Sequence, residues 1–415
     1  MKLIGDFHIH SRFSRATSKE LTVENLDHWA SLKGITIMGT GDFTHPLWFQ
    51  ELKEKLEPAE AGLYKLKGEK SSVRFLLTSE ISCIYSKKSA VRRIHLILFS
   101  PSFEAVEKIN TQLGWIGNLK ADGRPILGID AKEVVKIALD ASPDCMVIPA
   151  HAWTPWFSVF GSKSGFNSLE ECFDEYTKYI YAIETGLSSD PAMNWRLSAL
   201  DGITLMSNSD SHSLEKIGRE ANVFDIELSY SALKEVIQTK NAKKFLYTVE
   251  FFPEEGKYHY DGHRLCNVSM HPAEAKKQNN RCPKCGRPLT IGVLHRVEEL
   301  ADRPEGTVPA GAIPFKSMVP LQEIIADVLG VSVGTKQGKL EYDKLIKEFG
   351  SEFAVLLDTD QSTLRNVTSP EITEGIIRVR DGKIKIDPGF DGEYGKIEIF
   401  GKSESKQFTS QHTLF

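Results

Sequence analysis

The sequence predicts an α/β fold: a seven-stranded β/α barrel in the N-terminal half, then a small cysteine-containing module, then a mainly helical region with a β-hairpin. Three observations predict it. Short β-branched apolar runs alternate with helical stretches through residues 1–232, the pattern of parallel β/α architecture. Histidines and acids recur at the ends of those runs, as expected where strand termini converge on one mouth. Past Phe252 the composition shifts to a polar segment holding three of the six cysteines.

Taken in order, the strands are expected at 2–8, 35–39, 74–80, 94–99, 146–151, 179–184 and 203–207, with helices at 23–33, 103–113, 131–139 and 168–176. Seven strands make an irregular barrel, and an open sheet accounts for the same pattern. A length of 415 residues exceeds one ordinary core, so several domains are expected, here 1–250, 251–295, 296–400 and a polar tail, 401–415. The hydrophobic fraction of 41%, charged fraction of 26% and net charge of -5 are those of a soluble protein and by themselves neither require nor exclude nucleic acid. No apolar run approaches the roughly 18 residues of a membrane span, and no signal-peptide core follows Met1, so a cytoplasmic protein without a membrane partner is expected. Cys83, Cys145 and Cys172, each isolated in an apolar segment, are expected in the core.

At or near the strand ends lie His8 and His10, Asp42 and His45, Glu80, His95, His151, Glu184, and Asp210 and His212. Only His95 stands near a strand start. Any one of these histidines alone reads as a structural residue. Of the seven histidines in residues 1–232, however, only His28 is away from a strand end. The i, i+2 spacing of His8 and His10 puts both rings on one face. Imidazole nitrogens and carboxylate oxygens are ligands for Zn, Mn and Fe, and two or three ions held close together activate water and stabilise phosphoryl charge, so phosphoester hydrolysis is the leading chemistry.

Beyond Glu184, "SSDPAMNWR" offers Asp190 either as a substrate-facing acid or as the cap of a helix starting near Ala192. The 151–168 segment holds Trp153, Trp156, Phe157, Phe160 and Phe166, which could stack bases or form an apolar lid. Cys266, His271, Cys282 and Cys285 have the spacing C-x4-H-x10-C-x2-C of a structural zinc site, with His263 as the alternative fourth ligand. Lys257, Arg264, Lys276, Lys277, Arg281, Lys284, Arg287 and Arg296 surround it and make a basic face suited to phosphate backbones. Helices are expected from "GVLHRVEELADRPEG", "MVPLQEIIADVLG" and "LEYDKLIKEFG", a hairpin turning at Asp381-Gly382, and a further strand in "GKIEIF".

The ordered motifs "DFHIH", "GTGDFTH", the Glu of "LLTSEIS", the His of "RIHLILF", the His of "IPAHAW" and "SNSDSH" resemble those of the PHP (polymerase and histidinol phosphatase) family across the N-terminal half. The resemblance implies a distorted PHP-type (β/α)7 barrel with two or three divalent ions, Zn, Mn or Mg. His8, His10, Glu80 and Asp210 would hold one, with Glu80 bridging to a second held by His95 and His151. Asp42, His45 and His212 would serve the remaining ligand positions, His45 and His212 at a third site. There the chain departs from the family: Arg15 stands where a ligand is often found, and Asp42 and His45 are not adjacent. Either His45 replaces the missing neighbour through a local loop change, or the site is weak and Arg15 supplies a fixed charge near a phosphate instead.

Joined to the zinc module and "GVLHRVEELADRPEG", the barrel narrows the resemblance to the endonuclease Q family of DNA repair enzymes, archaeal and sporadically bacterial. That resemblance implies cleavage of double- or single-stranded DNA 5′ to deaminated bases (hypoxanthine, uracil, xanthine) and at abasic sites, leaving 3′-hydroxyl and 5′-phosphate. His8, His10, Glu80, Asp210, Asp190 and Arg15 are the catalytic candidates. A histidinol-phosphatase-like enzyme and a noncatalytic DNA-binding scaffold are the rival readings. In the tail, Gln411, Leu414 and Phe415 resemble the front of a peptide that docks on sliding clamps.

Overall fold

The computed structural model describes residues 1–68 and 70–401; the tail motif at Gln411–Phe415 lies outside them. A mixed sheet forms the frame, in the order Phe315–Ser317, Phe245–Glu250, Ala221–Asp225, Lys2–Asp6, Ile37–Gly39, Arg74–Lys87, Tyr64–Leu66, Leu56–Pro58. The long Arg74–Lys87 strand turns back into Ala90–Ser100, which pairs in turn with Met146–Pro149. Ala182–Glu184 and Thr204–Met206 form a parallel pair, and an Ile9–Ser211 bridge leads from it back to the first strand.

All seven expected barrel strands are present, but they do not form an all-parallel barrel. Ala90–Ser100 runs antiparallel to both of its neighbours. This reversal explains the odd position of His95, since the early half of a reversed strand reaches the mouth where its neighbours end. Between Met146–Pro149 and Ala182–Glu184 no ladder forms among the described residues, although Ala152 N–H donates to the Glu184 carbonyl at 2.9 Å. Two strands not anticipated, Ala221–Asp225 and Phe245–Glu250, extend the sheet beyond the first strand in antiparallel fashion.

The helices start where their caps predict. Thr22, Ser102 and Asp130 accept backbone N–H bonds at the starts of Val23–Lys33, Phe103–Gly114 and Ala131–Ala141. The helix expected at 168–176 is shorter, Leu169–Phe173, and continues as a tight 3-10 turn to Tyr179. Inside the sheet, Phe7 packs against Phe99 and Phe224 at ring separations of 5.4 and 6.3 Å. All three are fully buried, each contributing roughly 1.5–3 kcal/mol. Cys83, Cys145 and Cys172 are buried as expected. No helix among the described residues is long and apolar enough to cross a membrane.

The expected boundary between 295 and 296 falls within the helix Val293–Leu300, and Phe315–Ser317 joins the N-terminal sheet in parallel with Phe245–Glu250. Among the described residues four α-helices follow, Leu321–Leu329, Lys336–Phe349, Gln361–Arg365 and Pro370–Arg380, with a π-helical turn Ala354–Asp358 between the second and third. A buried ion pair between Lys33 and Glu352 (2.7 Å) ties them to the first barrel helix, and Glu352 also accepts from the Leu321 N–H and the Tyr342 hydroxyl.

The hairpin turn expected at Asp381-Gly382 is instead a helix end. Ser369 caps Pro370–Arg380, and Ile372, Ile376 and Val379 are buried at helical spacing. The hairpin itself lies further on, between Lys385–Asp387 and Lys396–Glu398.

Candidate metal centre

Asp6, at the end of the first strand, accepts N–H bonds from Ser209 and Gly218 (both 3.0 Å) and so anchors the loop that carries Asp210. Arg219 donates to the Ser209 and Asp210 carbonyls from the same side. Asp42, His151 and Asp210 all have positive φ (50°, 28° and 45°), which non-glycine residues adopt at a cost of order 1–3 kcal/mol where the surroundings hold them.

His8, His10, Glu80 and Asp210 bring one ligand atom each within 4.8 Å of one another, as do Glu80, His95 and His151. Glu80 belongs to both groups. Its Oε1 lies 2.6 Å from His95 Nδ1 and 3.1 Å from His151 Nε2, while its Oε2 lies 3.3 Å from His10 Nε2 and 3.5 Å from His8 Nε2. The far nitrogen of each ring is engaged. His8 Nδ1 faces Glu184 at 3.0 Å, His10 Nδ1 faces Asp42 at 3.0 Å, His95 Nε2 faces the Ser82 hydroxyl at 3.1 Å and His151 Nδ1 the Thr154 hydroxyl at 3.2 Å. For His8 and His10, a proton on Nδ1 leaves the Nε2 lone pair aimed inward, the arrangement of metal-bound imidazoles.

This donor set fits divalent ions. His8 Nε2 is fully buried yet has no hydrogen-bond partner, although Glu80 and Asp210 oxygens stand 3.5 Å away. His95 Nδ1 and His151 Nε2 face each other at 3.2 Å across the same carboxylate oxygen. The electrostatics call for positive charge at the centre. Burial opposes a charge on His8 and His10, but the surrounding carboxylates outweigh it and hold both well above the ordinary histidine value. Burial pushes His95 down to about 4, leaving it neutral, the ligand form.

Other expected ligands are placed differently. Asp42 turns away from the centre: beyond His10, it accepts from the Ser11 N–H and the Ser11 and Ser14 hydroxyls. Gly123 packs so close that a Cβ there would lie 2.3 Å from Asp42 Oδ2. His45 precedes the helix Pro46–Lys55 and stacks on Phe13 at 4.5 Å, its Nδ1 buried without a partner. His212 sits 4.5 Å from the His10 ring, with Nδ1 2.9 Å from the Asp210 carbonyl. Among the described residues no third group of ligand atoms gathers around His45 and His212. Arg15 is largely exposed and pairs with Asp122 at 3.2 Å, away from the ligand groups. Asp190 is the cap of Pro191–Asn194, accepting from Met193 N–H at 2.8 Å, and does not face the imidazoles.

Two residues of the site escaped sequence reasoning. Glu184 stood at a strand end but had no role; it fixes His8, accepts from His151 N–H (2.7 Å) and is held by Asn208 (3.0 Å). Arg124, whose Nη1 lies 3.1 Å from Glu80 Oε2, follows a turn with no metal-ligand signature.

In the cysteine module, the ring gathered with Cys266, Cys282 and Cys285 is that of His263, not His271. His263 Nδ1 lies 3.6 Å from Cys285 Sγ. His271 is occupied elsewhere, capping Pro272–Lys277 through Ala273 N–H. Gly286, at φ 73°, permits the turn that returns its N–H to the Cys282 carbonyl at 2.8 Å. The module is fixed to Val293–Leu300 by Asp261, which accepts from Gly292 N–H and faces His295 Nδ1 at 2.5 Å.

Of its basic residues, Lys257, Arg264, Lys276, Lys277, Arg281, Lys284 and Arg287 are exposed. Arg296 is not a free cation: it donates to the Phe160 and Phe166 carbonyls and to Asn167. The aromatic segment it clasps is mostly core, since Trp153, Phe160 and Phe166 are buried; Trp156 is exposed and meets Tyr258 edge-on at 5.8 Å.

A family model described as the MJ0043 C-terminal domain matches residues 320–383. The uncharacterized protein YqxK of Bacillus subtilis (strain 168) is 31% identical over 414 residues, covering 96% of this chain and 99% of that protein. The uncharacterized protein MJ0043 of Methanocaldococcus jannaschii is 34% identical over 256 residues, 60% of this chain; the match spans only 31% of that longer relative. Among solved structures, the lesion-specific endonuclease PfuEndoQ from Pyrococcus furiosus superposes with a TM-score of 0.86 at 32% identity, covering 99% of both chains. An endonuclease Q complex with a 27-mer duplex substrate bearing an abasic lesion at the active site gives a TM-score of 0.85 at 32% identity, covering 98% of both.

Proposed function

The chain belongs to the endonuclease Q family, and from that membership we propose that it is a metal-dependent DNA repair endonuclease. It cuts duplex DNA at abasic sites and 5′ to hypoxanthine, uracil and xanthine, leaving 3′-hydroxyl and 5′-phosphate. It acts in the cytoplasm. The single observation that carries the reading is Glu80, one carboxylate shared by two candidate ligand groups within a chain that aligns end to end with a lesion endonuclease.

In this reading His8, His10, Glu80 and Asp210 hold one ion, and Glu80, His95 and His151 a second. Such a pair would supply a nucleophile from water at neutral pH and offset charge on the phosphoryl oxygens. The protein's own groups set the geometry. Glu184 and Asp42 keep His8 and His10 in the tautomer that presents Nε2 inward. His212, with Nδ1 against the Asp210 carbonyl, stands at the rim and would join a third ion, for which no further protein ligands gather among the described residues.

The exposed basic residues of the zinc module, with Trp156, Tyr258 and Tyr394, form the track for the duplex. Lys257 lies over the Tyr394 ring at 4.4 Å. Base–aromatic stacking there would offset part of the few kcal/mol needed to extrude a nucleotide. The tail motif at Gln411, Leu414 and Phe415 would dock on a sliding clamp.

The test is cleavage of a labelled duplex with one abasic site, one uracil or one hypoxanthine, in Mn²⁺ or Mg²⁺, beside histidinol phosphate. A single cut 5′ to each lesion is expected. Hydrolysis of histidinol phosphate alone would replace this reading with that of a small-molecule phosphatase.

A further inference from the structure

The metal centre is closed on nearly every side. The side chains of His8, His10 and Glu80 are at most 1% exposed, whereas those of Asp210, Arg124 and His212 are 25%, 26% and 33% exposed. Among the described residues of the centre these three are the most exposed, His95 and His151 being 7% and 11% exposed, so a substrate phosphate would approach across the rim that they define. One of the three is a permanent cation.

We infer that Arg124 is a catalytic residue that grips a non-bridging oxygen of the scissile phosphate; the substrate named here rests on the function proposed above. Its Nη1 engages Glu80, while Nε and Nη2 have no acceptor among the described residues. A guanidinium offers five donors in a planar fork that matches phosphate. With one arm on Glu80, the remaining donors lie at the opening.

The backbone beneath Arg124 is built to hold it there. Its own N–H donates to Asp122 Oδ1 at 3.2 Å, and Asp122 also receives the Arg15 side chain and N–H. Gly123 is wedged against Asp42 and Ser14, its N–H bonded to the Phe13 carbonyl and its carbonyl to the Thr44 hydroxyl. Arg15, the cation the sequence pointed to, thus acts indirectly, by holding the turn that presents Arg124.

A role as mere counter-ion to Glu80 leaves the arrangement unexplained. In the loaded site the ions held between Glu80 and the four imidazoles would balance its charge, so the carboxylate would not require a guanidinium as well. A donor fixed in advance at the opening stabilises charge that grows on phosphoryl oxygen without reorganising during the reaction.

The test compares wild type with Arg124→Gln and Arg124→Ala as metal-loaded full-length proteins. For Arg124→Gln, bound metal per chain and duplex affinity should stay within threefold of wild type. Its kcat on an abasic duplex should fall about 10²–10³-fold, the cost of losing one such donor. Calorimetry with inorganic phosphate should show binding at least about tenfold weaker, roughly 1.4 kcal/mol. Added guanidinium should restore part of the cleavage by Arg124→Ala and none in wild type. Metal loss in Arg124→Gln would reduce the residue to a support for Glu80, and wild-type phosphate binding and cleavage would overturn the inference. If wild type cuts no lesion duplex but its phosphate binding still depends on Arg124, the proposed function fails while the anion grip stands.

Discussion

At the scale of single residues, the metal centre depends as much on what holds the imidazoles as on the imidazoles themselves. Asp210→Ala or His8→Ala should abolish strand cleavage while leaving duplex binding nearly intact, measured on the abasic duplex by gel assay and by anisotropy. Normal cutting with metal supplied would remove both from the site. Glu184→Gln should keep the fold but weaken metal affinity about 10–100-fold, the usual effect of losing an outer partner of a ligating histidine. Metal titration by calorimetry reads this directly. The sequence made the candidate ligands legible, because His and acid residues recurred at strand ends. It could not separate ligand from support. Asp42 and Glu184 are the same residue types at the same kind of position as Asp210 and Glu80, and only the direction each carboxylate faces distinguishes them. Arg124 gave no signal, because its role depends on a turn folded against residues more than 75 positions earlier.

At the scale of elements, the cysteine module and one strand pair make separate predictions. Cys282→Ser and His263→Ala should each lower zinc content by one ion per chain, while His271→Ala keeps the zinc and frays only a short helix; elemental analysis decides among them. The ambiguity between the two histidines was real in sequence, since spacing permits both and only the turn geometry chooses.

Ala221 faces Val249 across an antiparallel ladder, so the next pair outward places Glu220 beside Glu250, both fully buried. Burial, helped by Glu250, pushes Glu220 well above the ordinary carboxyl value, and burial raises Glu250 from 4.5 to about 8. These carboxyls stay protonated in the fold at pH values where the unfolded chain ionises them. Folding therefore takes up protons, and stability should fall as pH rises above about 4.5, with the share due to Glu250 lost by about pH 8. Glu250→Gln should flatten that slope in thermal melts across this range. An unchanged slope would show that the pair does not carry it. The misplaced hairpin turn has a simpler cause: "IIRVR" alternates like a strand, yet Ile372, Ile376 and Val379 also satisfy the helical period, and the Ser369-Pro370 start decides for the helix.

For the whole molecule, the sequence suggests a barrel, a cysteine module and a helical region, but it does not reveal how they are joined: the expected boundary at 295 falls inside a helix, and Phe315–Ser317 joins the N-terminal sheet. Lys33 is the last residue of the helix expected at 23–33. It is buried against Glu352, more than 300 residues away, and no local pattern marks that contact. Replacing it with Met leaves Glu352 as an unpaired buried charge. Lys33→Met should therefore lower stability by about 3–5 kcal/mol, read by denaturant unfolding, without changing metal content.

The parallel pairing of Phe315–Ser317 with Phe245–Glu250 carries a further consequence. A chain cut after residue 295 would lose the strand that shields this flank and would present a row of unsatisfied backbone donors and acceptors to any other copy it met. Newly synthesised protein passes through that state each time the ribosome has released the first half and not yet the second. The short segment Phe315–Ser317 is thus a closing seam, and for this protein aggregation during synthesis is a hazard that lasts until the seam is made.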